Sequence, residues 1–216
     1  MRTPYRSVDE VLPPLQREIS KTFNKTRLTM KFDALNVIDT FKTTKTLYER
    51  LQKLNQVRYL QIAKQAYRDA YAEAKEAGIR DGKQQIPTAA FVLALLAEYN
   101  FTTKYKYDDE IDRKRARLAE AIIADAKRGI RRDMIADFKR AESLWQKQTK
   151  QYALYTEDEA VLKAFEDAGV KRVKWNTAED EKVCGACNGR DGKTYPIDNI
   201  PEKPHYLCRC YYTIVN

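Results

Sequence analysis

Residues Trp175–Cys210 read WNTAEDEKVCGACNGRDGKTYPIDNIPEKPHYLCRC, and they contain all four cysteines and the single histidine of a 216-residue chain. Cys184 and Cys187 form a C-x-x-C pair. After a loop carrying Gly189 and Gly192 come His205, Cys208 and Cys210. A C-x-x-C turn supplies two corners of a tetrahedral metal site, and a second group further along the chain closes it. Zinc takes four such ligands, so five candidates compete for four places. Cys184, Cys187 and Cys208 are the hardest to replace, and the fourth ligand is either His205 or Cys210. In an extended segment, residues two apart point to the same face, so Cys208 and Cys210 can both reach one ion.

Two disulfides would also consume four cysteines, but Met1–Pro14 lacks the apolar core of a secretory signal, so a reducing cytosol is the expected compartment. A hydrolytic metal site usually draws on several His or carboxylate ligands and keeps one position open, which a single histidine does not favour. A structural zinc is the expected cofactor, with disulfides formed after release from a cell, or free structural thiols, as the alternatives.

Upstream of this stretch the pattern is helical. Ser7 with Glu10 forms a helix-starting box, Pro13 and Pro14 are expected to interrupt it, and Leu15, Ile19, Phe23 and Thr26 continue on one face. Residues 1–30 read as an arm that orders against a partner. Leu47, Tyr48, Leu51, Leu54, Tyr59, Ile62, Ala66, Tyr67 and Ala70 predict helix from Lys31 to Gly78, with a weak point at Asn55-Gln56. A shorter helix follows from Thr88 to Ala97. Tyr99, Tyr105 and Tyr107 fall in an irregular link, where interleaved Lys104 and Lys106 would suit base stacking and an assembly interface would suit tyrosine as well.

Asp108–Ala126 reads as a surface helix with an acidic first turn, a basic run at Arg113, Lys114, Arg115 and Arg117, and a buried side at Ile111, Leu118, Ile122 and Ile123. Gly129 separates it from a second long helix, Ile130–Tyr155, to give an αα-hairpin. Thr156, with Glu159, is expected to cap a new helix that ends at Gly169. The period then changes: Val173 and Trp175 alternate with basic residues as in a strand, and Lys193–Ile197 and Tyr211–Val215 are further strand candidates. The expected fold is mainly α, with long helices and αα-hairpins over residues 1–155 and a small α+β zinc-binding module over residues 156–216. That module is short of large apolar residues and would depend on its metal.

The net charge of +9 is uneven. Residues 1–60 and residues 111–150 each carry twelve Lys and Arg against six Asp and Glu, whereas residues 181–216 carry five against four. Nucleic-acid contact would therefore be made by helices through phosphates, with Arg113, Lys114, Arg115, Arg117, Arg131 and Arg132 as candidates. A solvated helix face is the plain alternative. No apolar run approaches the ~20 residues of a membrane span.

Trp175–Asp198, followed by PEKPHYLCRC, resembles the C-terminal signature of the minor head proteins of tailed phages, the Mu F-like head-morphogenesis family. Tyr99–Ala121 and Ser143–Ala153 are similar to segments of such proteins from phages of Gram-positive bacteria. The resemblance covers roughly the second half of the chain, and Tyr206 departs from it where proline or another small residue is common. It implies a non-enzymatic structural protein of the virion head, assembled in the bacterial cytoplasm. The implied partners are the portal protein, the major capsid protein and packaged double-stranded DNA, and the implied roles are head assembly and genome delivery. Some relatives carry added enzymatic domains, and none is expected after Asn216. A zinc-containing nucleic-acid-binding protein using the basic helices is the alternative, and the near-neutral charge around the cysteines speaks against base reading there.

Overall fold

The computed structural model describes residues 2–30, 36–79, 82–98, 107–178 and 183–215. In chain order these form α1 (Arg6–Thr29), α2 (Val37–Glu76), α3 (Ala89–Glu98), α4 (Tyr107–Lys127), α5 (Arg131–Ala168), β1 (Arg172–Asn176), α6 (Gly185–Asn188), β2 (Thr194–Pro196) and β3 (Tyr211–Ile214). The protein is mainly helical with a small C-terminal sheet, as the periodicity indicated.

Three of the expected helix breaks do not occur. Pro13 and Pro14 lie inside α1. They remove the bonds to the carbonyls of Asp9 and Glu10, two exposed residues that water can satisfy, while Val8, Val11, Leu12, Leu15 and Ile19 are buried on the same helix. The residues read as an arm are thus an ordered helix. At the second point, α2 runs straight through Asn55-Gln56, because Asn55 is buried and its Nδ2 donates to Thr149 Oγ1 at 3.0 Å. At the third, Thr156 caps nothing: its hydroxyl donates to the Tyr152 carbonyl one turn back at 2.7 Å, and α5 continues to Ala168. The division expected at 155/156 therefore falls inside a helix. Tyr107, assigned to an irregular link, begins α4 and is buried; Tyr99, Lys104, Tyr105 and Lys106 lie outside the described residues.

Contacts group the chain into two compact units that are each discontinuous in sequence. One comprises Leu12–Arg58 and Leu93–Lys150. Its core holds Leu15, Ile19, Phe23, Leu47, Leu51, Ile122, Phe138 and Trp145, with Tyr48 edge-on to Trp145 at 5.2 Å between ring centroids. The hairpin expected around Gly129 lies here: Gly129 takes φ 72°, Ile122 and Leu118 of α4 are buried, and Lys114 of α4 donates to Gln148 of α5 at 2.6 Å.

The other unit comprises Met1–Val11, Tyr59–Val92 and Gln151–Asn216. Here α2 presents Ala63, Ala66, Ala70 and Ala74, and α5 presents Ala153, Ala160, Ala164 and Ala168, all buried small residues that let backbones approach closely. Tyr67 of α2 donates to Asp167 Oδ2 of α5 at 2.7 Å. Gly82 lies so close to the end of α5 that a Cβ built on it would fall 1.5 Å from the Asp167 carbonyl oxygen. The sheet belongs to this unit. Its order is β2-β1-β3, antiparallel throughout, with Val173 opposite Tyr195 and Trp175 opposite Tyr212. On central β1 the exposed Arg172 and Lys174 alternate with fully buried Val173 and Trp175, the pattern read from the sequence.

Candidate metal centre

Two arms of the chain deliver the cysteines, and each is fixed by backbone hydrogen bonds. On the first, Cys184 stands at the start of the short α6 turn and its sulfur accepts the N–H of Cys187 at 3.3 Å. Beyond the turn, the Cys187 carbonyl accepts the N–H groups of Arg190 and Asp191 at 3.0 and 3.1 Å. The R-D-G-K segment then folds back onto β1. Asp191 Oδ1 accepts the Thr177 N–H at 2.8 Å, Gly192 donates to the Trp175 carbonyl at 2.9 Å, and Trp175 donates to the Lys193 carbonyl at 2.8 Å. Gly192 holds φ 73°, and the Arg190 guanidinium lies over the Trp175 ring at 5.1 Å.

The second arm runs from Lys203 to Cys210. Leu207 takes φ 58°, and its N–H is anchored by Gln151 Oε1 at 2.5 Å. That bend brings His205 and Cys208 back toward Cys187. Cys187 Sγ lies 3.2 Å from His205 Nε2 and 3.7 Å from Cys208 Sγ. Four tetrahedral thiolates bound at about 2.3 Å place their sulfurs about 3.8 Å apart, and a disulfide needs about 2.05 Å, so the Cys187–Cys208 spacing fits ligation. All four thiols are free.

The five residues predicted as ligands come together as two overlapping triads, Cys184/Cys187/His205 and Cys187/Cys208/Cys210, which share Cys187. Within each triad the ligand atoms lie within 4.8 Å of one another, so the cluster could hold a metal ion. Cys187, Cys208 and Cys210 are buried, while Cys184 and His205 are partly exposed. His205 carries an orienting contact of the kind metal-binding histidines use. Its Nδ1 lies 3.0 Å from the Tyr206 carbonyl, which can only accept, and its Nε2 faces Cys187. Without a metal, burial pushes the Cys187 thiol up to about 12, and the hydrogen bond to Cys210, with burial, raises that of Cys208. The Cys187 N–H lowers that of Cys184. Metal binding would therefore release protons from the buried thiols.

Sequence reasoning missed the residues that brace the second arm. Tyr5 is buried, with its hydroxyl 2.6 Å from the Cys210 carbonyl oxygen and 2.8 Å from Asp158 Oδ1. Lys203 donates to Asp158 Oδ2 at 2.5 Å and to the Tyr5 hydroxyl. Arg209, between the two last cysteines, pairs with both carboxylate oxygens of Asp9 at 3.2 and 2.9 Å. Burial pushes the Asp158 carboxyl up, and the Lys203 ammonium opposes that shift. Tyr5 stands 205 positions from Cys210, beyond any local signal.

The six cations proposed for nucleic acid differ in their ion pairing. Arg113 pairs with Glu110 at 2.5 Å, Lys114 with Glu110 at 3.3 Å and Arg115 with Asp112 at 3.2 Å, all along α4. Arg117, Arg131 and Arg132 are exposed and make no ion pair with a described residue. No family model matches the chain, and neither a curated protein nor a solved structure matches it.

Proposed function

We propose that this chain is a structural minor head protein of a tailed bacteriophage, bound at the portal vertex, with a structural zinc in the Cys/His cluster. The observation that carries the reading is the convergence of Cys184, Cys187, His205, Cys208 and Cys210, the residues of the resembling motif, around one small sheet. Zinc is the metal that suits thiolate and imidazole ligands at these spacings. Its role would be to tie two loops that have little apolar core between them. No residue is given a catalytic part, because the ligand atoms are spent on holding the fold. In this reading the protein acts in head assembly and genome delivery, with the portal as principal partner and the capsid protein and packaged DNA as further contacts. Among the described residues no helix is long and apolar enough to cross a membrane.

A second reading, a zinc-containing nucleic-acid-binding protein, draws on the exposed Arg117, Arg131 and Arg132, which make no ion pair with a described residue. Contacts of that kind go to phosphates and weaken steeply with salt. The test is co-purification of the tagged chain with the portal protein of the same phage, at low and high salt, with and without DNA. Retention of the portal at high salt without DNA is the expected result. Capture of DNA alone, lost at high salt, would favour the second reading, and capture of neither would overturn both. Metal analysis of the purified chain is expected to give one zinc per molecule; a metal-free, folded chain would remove the zinc from the proposal.

A further inference from the structure

In the unit formed by Leu12–Arg58 and Leu93–Lys150, a groove of about 470 Å³ lies between α4 and α5. It is walled on α4 by residues at positions 110, 113, 114, 117, 118 and 121 and on α5 by residues at 137, 140, 141 and 144, with Tyr48 of α2 at its base. Both sets follow the three-to-four spacing of a single helical face. Facing stripes of this kind normally close on each other at interior packing density, and here they leave a ligand-sized space instead.

The floor and rim differ in chemistry. Leu144 is 47% exposed and Ala121 and Ala141 are half-buried, which gives an apolar floor open on one side, with Tyr48 and Leu118 buried behind it. The rim carries four cations against two carboxylates. One carboxylate, Glu110, is already matched by Arg113 and Lys114, and Lys114 also donates to Gln148. Arg117, on the α4 wall, makes no ion pair with a described residue. Arg140, on the α5 wall, is 76% exposed and lies 3.9 Å from Asp137, the outer limit of an ion pair. Burial, with a hydrogen bond to Asp125, pushes the Asp137 carboxyl up, which weakens its hold on Arg140.

We propose that this groove binds a small amphipathic anion, with an aromatic or alkyl body on the floor of Leu144, Ala121 and Ala141 and one carboxylate or sulfonate between Arg117 and Arg140. A nucleic-acid backbone would not use this shape. It brings a charge at every nucleotide and no apolar body to cover the floor. A single anionic head on an apolar body satisfies both features, with the guanidinium forks supplying charge-assisted bonds. The inference rests on helices remote in sequence from the cysteines and holds or fails independently of the head-protein reading.

The probe is 8-anilinonaphthalene-1-sulfonate, titrated by fluorescence into the full chain, with octanoate as competitor and the uncharged N-phenyl-1-naphthylamine as comparison. Saturable binding at one probe per chain, displaced by octanoate and tighter than the uncharged probe, is expected. The double variant R117A/R140A removes two exposed side chains that support no core, and it should weaken the sulfonate at least about tenfold while leaving the uncharged probe unaffected. Leu144→Glu, which puts a carboxylate beside the proposed head, should abolish sulfonate binding, and circular dichroism checks that each variant is folded. Absence of saturable binding by the wild-type chain, or equal affinity in wild type and both folded variants, would overturn the proposal.

Discussion

The unit around Trp145 and the sheet around Trp175 solve the same problem with different means. In the first, Leu15, Ile19, Phe23, Leu47, Leu51, Phe138 and Trp145 are all essentially inaccessible to solvent. Each such side chain contributes about 1.5–3 kcal/mol on burial, so the helices need nothing beyond apolar packing. In the second, strands of five, three and four residues enclose Val173, Trp175 and Tyr212 together with three buried cysteines. Trp175 is boxed by Tyr212 and Tyr195 at 5.5 and 6.4 Å and covered by Arg190. A sheet that small is marginal by itself. Where the apolar supply is short, the buried contacts of Tyr5, Asp158 and Lys203 help fix the chain, and the cysteine cluster could hold a metal ion for the same task.

That contrast can be broken most directly at Cys187, the residue both triads share. Cys187→Ser should lose the metal and melt the sheet while most of the helical circular dichroism signal remains, since structural zinc supplies on the order of 10 kcal/mol to small modules. Metal analysis together with Trp175 fluorescence in a Trp145→Phe background would check this. A variant with unchanged metal content and unchanged Trp175 emission would show that the sheet stands without ligation.

The converse substitution is Trp145→Ala, which empties the largest buried side chain of the helical unit and removes its contact with Tyr48. The expected loss is about 3–5 kcal/mol in denaturant unfolding, with metal content unchanged. Loss of metal in this variant would mean that the two regions do not differ in the way described.

A smaller effect is expected from Lys203→Met, which leaves Asp158 buried without its cation. The cost should be about 3 kcal/mol at neutral pH. Its pH dependence has a definite sign. Burial holds the Asp158 carboxyl above its unfolded value, and removing Lys203 raises it further, so the folded variant takes up a proton more readily than the unfolded chain. The deficit should therefore shrink as pH falls through the raised folded pKa and be largest above it. A deficit that grows on acidification would show that the ammonium does not stabilise the ionised Asp158. The measurement is urea unfolding of both proteins across the acidic range.

Much of the fold was legible because its signals are local. The alternation of Val173 and Trp175 with charged neighbours, the stops at Gly78, Gly129 and Gly169, and the three-to-four spacing of α4 act over a few residues. The five candidate ligands were legible because cysteine and histidine are scarce in this chain and clustered at one end of it. The errors share one cause. Pro13-Pro14, Asn55-Gln56 and Thr156 each carry a local preference for ending a helix, and each is overridden by burial or by a hydrogen bond visible only in the folded chain.

By itself the sequence determined that the chain is mainly helical with strands near its C-terminal end, which residues can ligate a metal and where positive charge accumulates. Only the tertiary structure decided that Tyr5 reaches the Cys210 carbonyl, that His205 turns its Nε2 toward Cys187, and that facing stripes on α4 and α5 leave a groove rather than a closed seam. The physical reason is range. Propensity and periodicity are set by neighbours within a turn or two, whereas satisfying buried polar groups and filling space depend on residues that only folding brings together.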